Sequence, residues 1–547
     1  MSSPQIIEFS PDKGLVQGKP ADAGLLPGEI NKLKSDLHRY LQPTPENPTH
    51  PTYSGAAVLA AKDGTIVAHE AAGDALRYTR DGDQVVELPA ERRLPMRKDS
   101  IFDLASVSKL FTAVALMQLS ERQLLKVDDR VATHIPEFAA NGKGEVTIRQ
   151  LLTHTSGMPA SLPFDQYATV AERLAAAYAV RPESQPGEKS RYSDLGFVVL
   201  GKIIEKASRL SLDQFVHRRI TGPLGMRETM YNPPARLRAR IAATENHPTR
   251  GMIHGEVHDL KAWLMAGVSG HAGLFSTAPD LAIFCQMLLG GGTYHGVRIL
   301  REDSVRAMVT HARDGWGLGF EVNRHFFMGP LSSPVTFGKT GFVGNTVTID
   351  PLSHSFVVFL ANSVHPDRTW ASPNPARRAM TRDTGYAMPV HPAKGSTAWR
   401  AAPQPGGSAT LVGTLNRRST HATLSYYTWC DTEPNLDLGK LETATASGEW
   451  QPAATKLTSA GHVWHGSADG TFCSGFTGRR WLHVTATLPA DTTQVRWTYT
   501  INPTAEGRGL YVDGVKAFDH RGRENLLSSE ASGAGTFHAA NWVKATS

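Results

Sequence analysis

The chain has 547 residues, 40% of them hydrophobic and 20% charged, with 57 basic residues against 51 acidic. That length exceeds what one hydrophobic core usually serves, so at least two domains are expected, and the composition excludes a disordered or fibrous chain. No apolar run approaches a membrane span. The net charge of +6 is spread thinly, so the small clusters His217-Arg218-Arg219, Arg377-Arg378 and Arg479-Arg480 read as solvated surface rather than a nucleic-acid footprint.

In chain order, residues 1–20 read as an N-terminal extension. Residues 1–15 lack a basic region followed by an apolar core and do not read as a secretory signal. The expectation is an intracellular protein, or an exported one whose signal has been removed. Residues 54–71 read as a hairpin turning at Lys62-Asp63-Gly64. A helix is predicted at about 106–121, where Val107, Leu110, Phe111, Val114 and Met117 form one stripe and Ala113, Leu116 and Leu119 widen it; a helix apolar on most sides is a central one. Further helices are predicted at 195–210, 212–219 and 278–289, and strands at 346–350 and 355–361. This pattern predicts an α+β domain, an antiparallel sheet beside a helical cluster.

Prolines punctuate 371–408 and Gly406-Gly407-Ser408 closes it, so this stretch reads as a linker or surface-hugging tail. Beyond it the period becomes that of strands, at 422–427, 481–486, 494–501 and 509–512, with turns at 431–435, 489–491 and Val512-Asp513-Gly514. Six of the ten tryptophans lie here, and a compact all-β sandwich is expected. The domain reading is 1–20 extension, 21–390 catalytic domain, 391–408 linker and 409–547 sandwich. Cys285 sits in an apolar run and reads as a buried small hydrophobe. Cys430 and Cys473 can form one disulfide, but two cysteines do not settle it.

Three motifs carry chemistry. Ser106-Val107-Ser108-Lys109 alone is weak, since a chain this long shows roughly one or two Ser-x-x-Lys by chance; Ser10-Pro11-Asp12-Lys13 is such a decoy. Ser106, however, opens the buried helix. The i, i+3 spacing puts Ser106 and Lys109 on one helix face, beside free N–H groups and a positive dipole end. A buried ammonium loses solvation and can become a base, which a serine nucleophile needs. Tyr192-Ser193-Asp194 precedes an apolar helix; a phenol between two lysines would have its phenolate favoured and could move protons. Tyr511-Val512-Asp513 repeats the pattern without such a context. In Lys339-Thr340-Gly341, Lys339 adds positive charge, Thr340 can hydrogen-bond a substrate carbonyl or carboxylate, and Gly341 permits close backbone approach. The N–H groups of Ser106 and Phe342 would form an oxyanion hole. Tyr192 follows Ser106 by 86 residues and Lys339 follows Tyr192 by 147, and the ordered set is far more specific than any member.

On these motifs, with Ile101-Phe102-Asp103-Leu104-Ala105, Leu151-Leu152-Thr153-His154-Thr155-Ser156-Gly157 and Pro223-Leu224-Gly225-Met226, the chain from about 20 to 390 resembles the class C β-lactamase-related serine hydrolases. That group includes penicillin-binding DD-peptidases, D-aminopeptidases and family VIII esterases. Val257-His258-Asp259 and the run Gly270-His271-Ala272-Gly273-Leu274-Phe275-Ser276-Thr277 are similar to a subgroup that includes muropeptide amidases. The resemblance implies that Ser106 is the acylated nucleophile, Lys109 and Tyr192 the acid/base pair, and Asp194 with Lys339, Thr340 and Gly341 the substrate-binding side. Asp194 stands where the family commonly has asparagine; its carboxylate would stabilise the Lys109 ammonium, shift base work toward Tyr192, and argue against true β-lactamase activity. Lys339 stands where the subgroup often has histidine. The C-terminal region resembles jelly-roll modules of the MAM and immune-inhibitor-A type, on Leu424–Trp429, Asp431-Thr432-Glu433-Pro434 and the 507–514 run, which implies a glycan or protein partner. Asp431, Glu433 and Asp437 read as an acidic surface turn rather than a calcium site, and widely spaced His154, His258 and His271 as structural rather than metal ligands.

The expected activity is cleavage of an amide or peptide bond in a small-molecule or peptide substrate, with no cofactor, no metal and no nucleic-acid partner. The alternatives are a carboxylesterase or transacylase on the same site, and a non-catalytic binding protein acting through the sandwich.

Overall fold

The computed structural model describes residues 7–82, 84–504, 507–519, 525–529 and 535–546. The chain divides into two compact units: one is Ile7–Met328 with Pro334–Ala387, and the other comprises Gly329–Ser333 and the described part of Met388–Ser547.

The larger unit is α+β. Its sheet runs in the order Val16–Gln17, Thr65–Leu76, Gly55–Lys62, Ser355–Ala361, Thr346–Asp350, Phe337–Thr340, Glu321–Val322. All pairings along it are antiparallel except the short first one. The hairpin at 54–71 is present and longer than predicted, ending at Leu76. Within the N-terminal extension, Val16–Gln17 pairs with Thr65–Ile66, and Ile7 is buried in the core.

The Ser108–Glu121 helix is buried at every position from Ser108 to Leu119. Its apolar residues point all round, as expected of a helix with core on every side. A short 3₁₀ turn, Ala105–Val107, leads into it. Asp194–Ser208 packs against it; Ser193 caps this second helix, its Oγ accepting the Gly196 N–H at 3.3 Å. The predicted helix at 278–289 is observed with those bounds, capped by Thr277.

Two expectations fail on the C-terminal side of this unit. The stretch 371–408 is not a plain linker, because Asn374–Tyr386 is a helix burying Ala376, Ala379 and Met380. Its proline lies in the first turn, where a missing N–H costs nothing. Nor is Arg377 solvated: it is only 6% exposed.

The smaller unit is a sandwich of two antiparallel sheets. One runs His462–His465, Lys456–Ser459, Phe476–Leu488, Ala422–Asp431, Gly509–Asp519, Ala398–Ala401, Trp542–Ala545; the other runs Trp450–Pro452, Leu438–Ala444, Gln494–Thr500, Ser408–Thr414, Thr536–Ala540. Leu424, Tyr426, Val484 and Val512 of the first pack with Leu411, Leu441, Val495 and Trp497 of the second. Ala398–Ala401, inside the region expected to be linker, is a paired strand. The turn expected at Val512-Asp513-Gly514 is instead a bulge within Gly509–Asp519: Gly514 has φ 56°, and the register against Ala422–Asp431 shifts there, because an extra residue in one strand is absorbed by a positive-φ glycine. Cys430 and Cys473 form a disulfide, and Cys285 is a buried free thiol. Asp431 pairs with Arg479 at 3.0 Å, and Asp437 accepts the backbone N–H groups of Glu433 and Asn502, so these acids are engaged in holding the turn. Among the described residues, no helix is long and apolar enough to cross a membrane.

Candidate active site

Ser106 sits on the 3₁₀ turn, and local chemistry explains that turn. The Asp103 carboxylate accepts the Ala105 N–H at 2.8 Å and the His258 N–H at 2.6 Å. Ala105 is held at φ 46°, a left-handed conformation a non-glycine residue adopts only when its surroundings impose it. Burial pushes the Asp103 carboxyl up, with the two N–H bonds opposing.

One turn later Lys109 is fully buried. A lone ammonium there would cost several kcal/mol. Its three donors have three acceptors: Ser106 Oγ at 2.9 Å, Asp194 Oδ1 at 2.8 Å and the His271 carbonyl at 3.0 Å. Thr112, one turn on, bonds the Gly270 carbonyl at 2.8 Å, so the Gly270-His271 segment is clamped to the helix at two points. A Cβ on Gly270 would lie 2.2 Å from the Phe197 carbonyl, which is why this segment needs glycine.

The Ser193 cap places Asp194 in the first helical turn and Tyr192 just outside it. Tyr192 Oη lies 2.6 Å from Ser106 Oγ. Its ring packs against His154 at 4.7 Å and Trp316 at 5.9 Å, and both Lys109 and Lys339 lie over it, at 4.9 and 5.0 Å. The two lysines do not make it a standing phenolate: burial raises the phenol well above its usual value, Asp194 adds to that, and the bond from Ser106 only partly opposes it. Burial also works to raise the Asp194 carboxyl, but Lys109, His271 and Lys261 together hold it well below the usual carboxylate range.

Lys339 and Thr340 end the strand Phe337–Thr340. Lys339 Nζ is 3.0 Å from Glu321 Oε1 and 4.4 Å from the Trp316 ring centroid. Burial pushes Lys339 down to about 8, opposed by Glu321 and aided by Lys109. A Cβ on Gly341 would lie 2.6 Å from the Leu104 carbonyl; glycine is needed because this turn presses against the Ser106 turn. Arg377 holds the same turn from behind, donating to the Gly341 carbonyl at 2.6 Å and the Gly344 carbonyl at 3.2 Å. Phe342 is exposed, stacked on His258 and lying under Arg368.

The structure therefore brings together Ser106, Lys109, Tyr192, Asp194, Lys339, Thr340, Gly341 and Phe342. All but Lys109 line one cavity of about 730 Å³, a size suited to a small molecule or a peptide end. Sequence reasoning missed Trp316, Glu321, Lys261 and the buttressing role of Arg377. Trp316 had a signal, a tryptophan set among glycines in Gly315–Gly319; Glu321 and Lys261 had none. The three histidines separate. His154 is buried, its Nδ1 accepting the Ser193 N–H at 3.1 Å, and is held well below its usual range by burial and then by Lys339 and Lys109. His258 pairs with Glu245 at 2.9 Å. His271 does meet Asp194 and Asp259 in a cluster of metal-ligand type, but both carboxylates already pair with lysines.

The profile of the Beta-lactamase family matches residues 49–416. A protein of Escherichia coli K12, provisionally named as a D-alanyl-D-alanine carboxypeptidase, is 36% identical over 349 residues, covering 57% of this chain and 79% of its own length. Among solved structures, a penicillin-binding protein homolog from Caulobacter crescentus superposes with a TM-score of 0.51 at 22% identity, covering 66% of this chain and 98% of that one. A family VIII carboxylesterase superposes with a TM-score of 0.51 at 22% identity, covering 65% and 97%. These two establish the shared fold, and the family match, spanning most of the chain, establishes membership: the chain belongs to the β-lactamase family and is a serine hydrolase.

Proposed function

We propose that the chain hydrolyses an amide or peptide bond through an acyl-enzyme on Ser106, with Lys109 and Tyr192 moving the protons. The observation that carries this is the contact of Ser106 Oγ with both Lys109 Nζ, at 2.9 Å, and Tyr192 Oη, at 2.6 Å. An ammonium donates three hydrogen bonds; a neutral amine keeps two and turns its lone pair to the third partner. Of the three partners, only the Ser106 hydroxyl carries a proton to give. Ser106 Oγ then bonds to the substrate carbonyl carbon as its proton passes to Lys109. Tyr192, held as a neutral phenol, protonates the leaving nitrogen as the C–N bond breaks, and is reprotonated from Lys109. Water repeats the sequence on the ester and restores Ser106.

The N–H groups of Ser106 and Phe342 are assigned to the oxyanion, and Asp194, Lys339, Thr340 and Gly341 to the substrate side. Support comes from the Gly341 turn lying against Leu104, two residues before Ser106. The substrate class proposed is a cell-wall-type peptide ending in a D-amino acid, following the name of the Escherichia coli relative. For the sandwich we propose glycan binding at Trp464, whose ring stacks with His462 at 5.8 Å and lies under Arg480; co-sedimentation with insoluble cell-wall glycan, abolished in Trp464→Ala, is the expected result.

The catalytic reading is tested by comparing muropeptides, D-amino-acid amides and short chromogenic esters as substrates of the wild type and Ser106→Ala. Faster turnover of amides and peptides than of esters, lost in the variant, is expected. Ester turnover alone would favour a carboxylesterase or transacylase, and undiminished turnover in the variant would remove Ser106 from the reaction.

A further inference from the structure

Behind the reacting groups the charges continue in a ladder. Asp194 Oδ1 accepts from Lys109 Nζ, and Oδ2 faces Lys261 Nζ at 3.3 Å. Lys261 reaches Asp259 Oδ2 at 3.1 Å. Asp259 Oδ1 meets His271 Nε2 at 2.8 Å, and His271 Nδ1 meets Ser269 Oγ at 2.8 Å. The ladder closes, because the His271 carbonyl is the third acceptor of Lys109. The backbone fixes its outer half: Asp259 caps the Leu260–Leu264 helix, accepting the Ala262 N–H at 2.8 Å, and Lys261 lies in that helix's first turn.

We propose that Lys261 is a positioning residue that shares the Asp194 carboxylate with Lys109 and so sets how firmly the pair beside Ser106 holds its proton. This rests on the Ser106, Lys109 and Tyr192 reading above. One carboxylate lies between two ammonium groups, and each cation cancels part of the field that the other feels. With Lys261 in place, Asp194 acts on Lys109 with its charge partly neutralised. Without Lys261, the whole charge of Asp194 acts on Lys109. Asp259 works in the opposite direction, anchoring Lys261 while adding negative charge.

The groups facing Lys261 are Asp194 and Asp259 in direct contact, with Lys109 and His271 reached through those carboxylates. Tyr192, Lys339, Glu321 and His154 act around Lys109 and Asp194 from the other side. Asp103, Arg250 and Arg368 act on the Asp259 end. Burial lowers Lys261, but Asp259 and Asp194 raise it beyond the ordinary lysine value, so it remains a cation wherever the enzyme works.

The test is the pH profile of kcat/KM on the full chain for Lys261→Met, Lys261→Arg and Asp259→Asn. Asparagine is also a good helix cap, so the last change removes charge and keeps the helix. The rising limb is expected to move up by roughly 0.5 to 1 pH unit in Lys261→Met, to stay in place in Lys261→Arg, and to move down by a similar amount in Asp259→Asn. A limb that is unmoved in Lys261→Met, or that moves the same way in Lys261→Met and Asp259→Asn, would overturn the proposal. If Lys261→Met does not fold, the pair Lys261→Arg and Asp259→Asn decides. Labelling of Ser106 by a fluorophosphonate is read in parallel. Labelled variants with unmoved limbs contradict this inference alone, whereas an unlabelled wild type contradicts the reading beneath it.

Discussion

The Asp194 carboxylate lies 2.8 Å from Lys109 Nζ, at a position where the sequence resemblance leads one to expect a neutral asparagine. It is this pair that makes the site unlike one built on a neutral amide. In Asp194→Asn the charge favouring the ammonium is gone, and the rising limb of kcat/KM is expected at lower pH by about one unit.

The same pair makes a statement about stability. Asp194 is held below the usual carboxylate range, so between that range and its own titration the unfolded chain binds more protons than the folded one. The stabilisation is fully present above the ordinary carboxylate value and is lost as the pH falls below it. Urea unfolding at neutral pH is expected to find Asp194→Asn weaker by about 3 kcal/mol, the usual cost of leaving a buried charge without its partner. The gap should narrow as the solution is acidified.

Tyr192→Phe removes one oxygen and leaves the packing on His154 and Trp316. Turnover is expected to fall by roughly 10² to 10⁴, the range for loss of a positioned acid or base, with the thermal midpoint nearly unchanged. Steady-state kinetics beside a melting curve would check both halves.

Lys339, pushed down to about 8 by burial, is expected to give the falling limb of kcat/KM near that pH, since the substrate side loses its cation there. Lys339→Met should lower kcat/KM and abolish that limb. The buried Lys339 charge costs stability where the Asp194 charge adds it, although in both windows stability rises with pH. The folded state sheds this proton at about 8 and the unfolded chain only near the ordinary lysine value. The cost of burying the charge is therefore full below about 8 and is relieved as the pH rises through that window.

The disulfide joins Cys430, in one sheet of the sandwich, to Cys473, on a strand paired with the other, across 43 residues. Loop-closure entropy predicts about 4 kcal/mol of stabilisation of that unit. Unfolding of the sandwich followed by tryptophan fluorescence, with and without reductant, should report a loss of that order.

How far the sequence speaks depends on whether a feature is local. The helix at 278–289 and the strands at 346–350 and 355–361 are legible to the residue, because caps, period and apolar runs agree there. The helix Asn374–Tyr386 is hidden because prolines before and after it mask a first-turn proline that helices tolerate. The turn expected at Gly514 is a bulge, because a glycine at positive φ serves a turn and a bulge alike, and only the partner strand decides. In the candidate site, Ser106, Lys109, Tyr192 and Lys339 are singled out by their order in the sequence, and the fold brings them together. The resting state of Tyr192 is not, because burial outweighs the two lysines and only the fold sets burial. Glu321 and Lys261 leave no local trace: each matters for a partner that the fold alone brings near, Lys339 in one case and Asp194 in the other.

Ser106 is the residue proposed to carry the acyl group. Intact mass of the full chain after a fluorophosphonate or a slow acyl donor, followed by peptide mapping, tests it most directly. A single adduct on Ser106, absent from Ser106→Ala, is predicted. Adduct formation elsewhere, or hydrolysis that persists in Ser106→Ala, would contradict it.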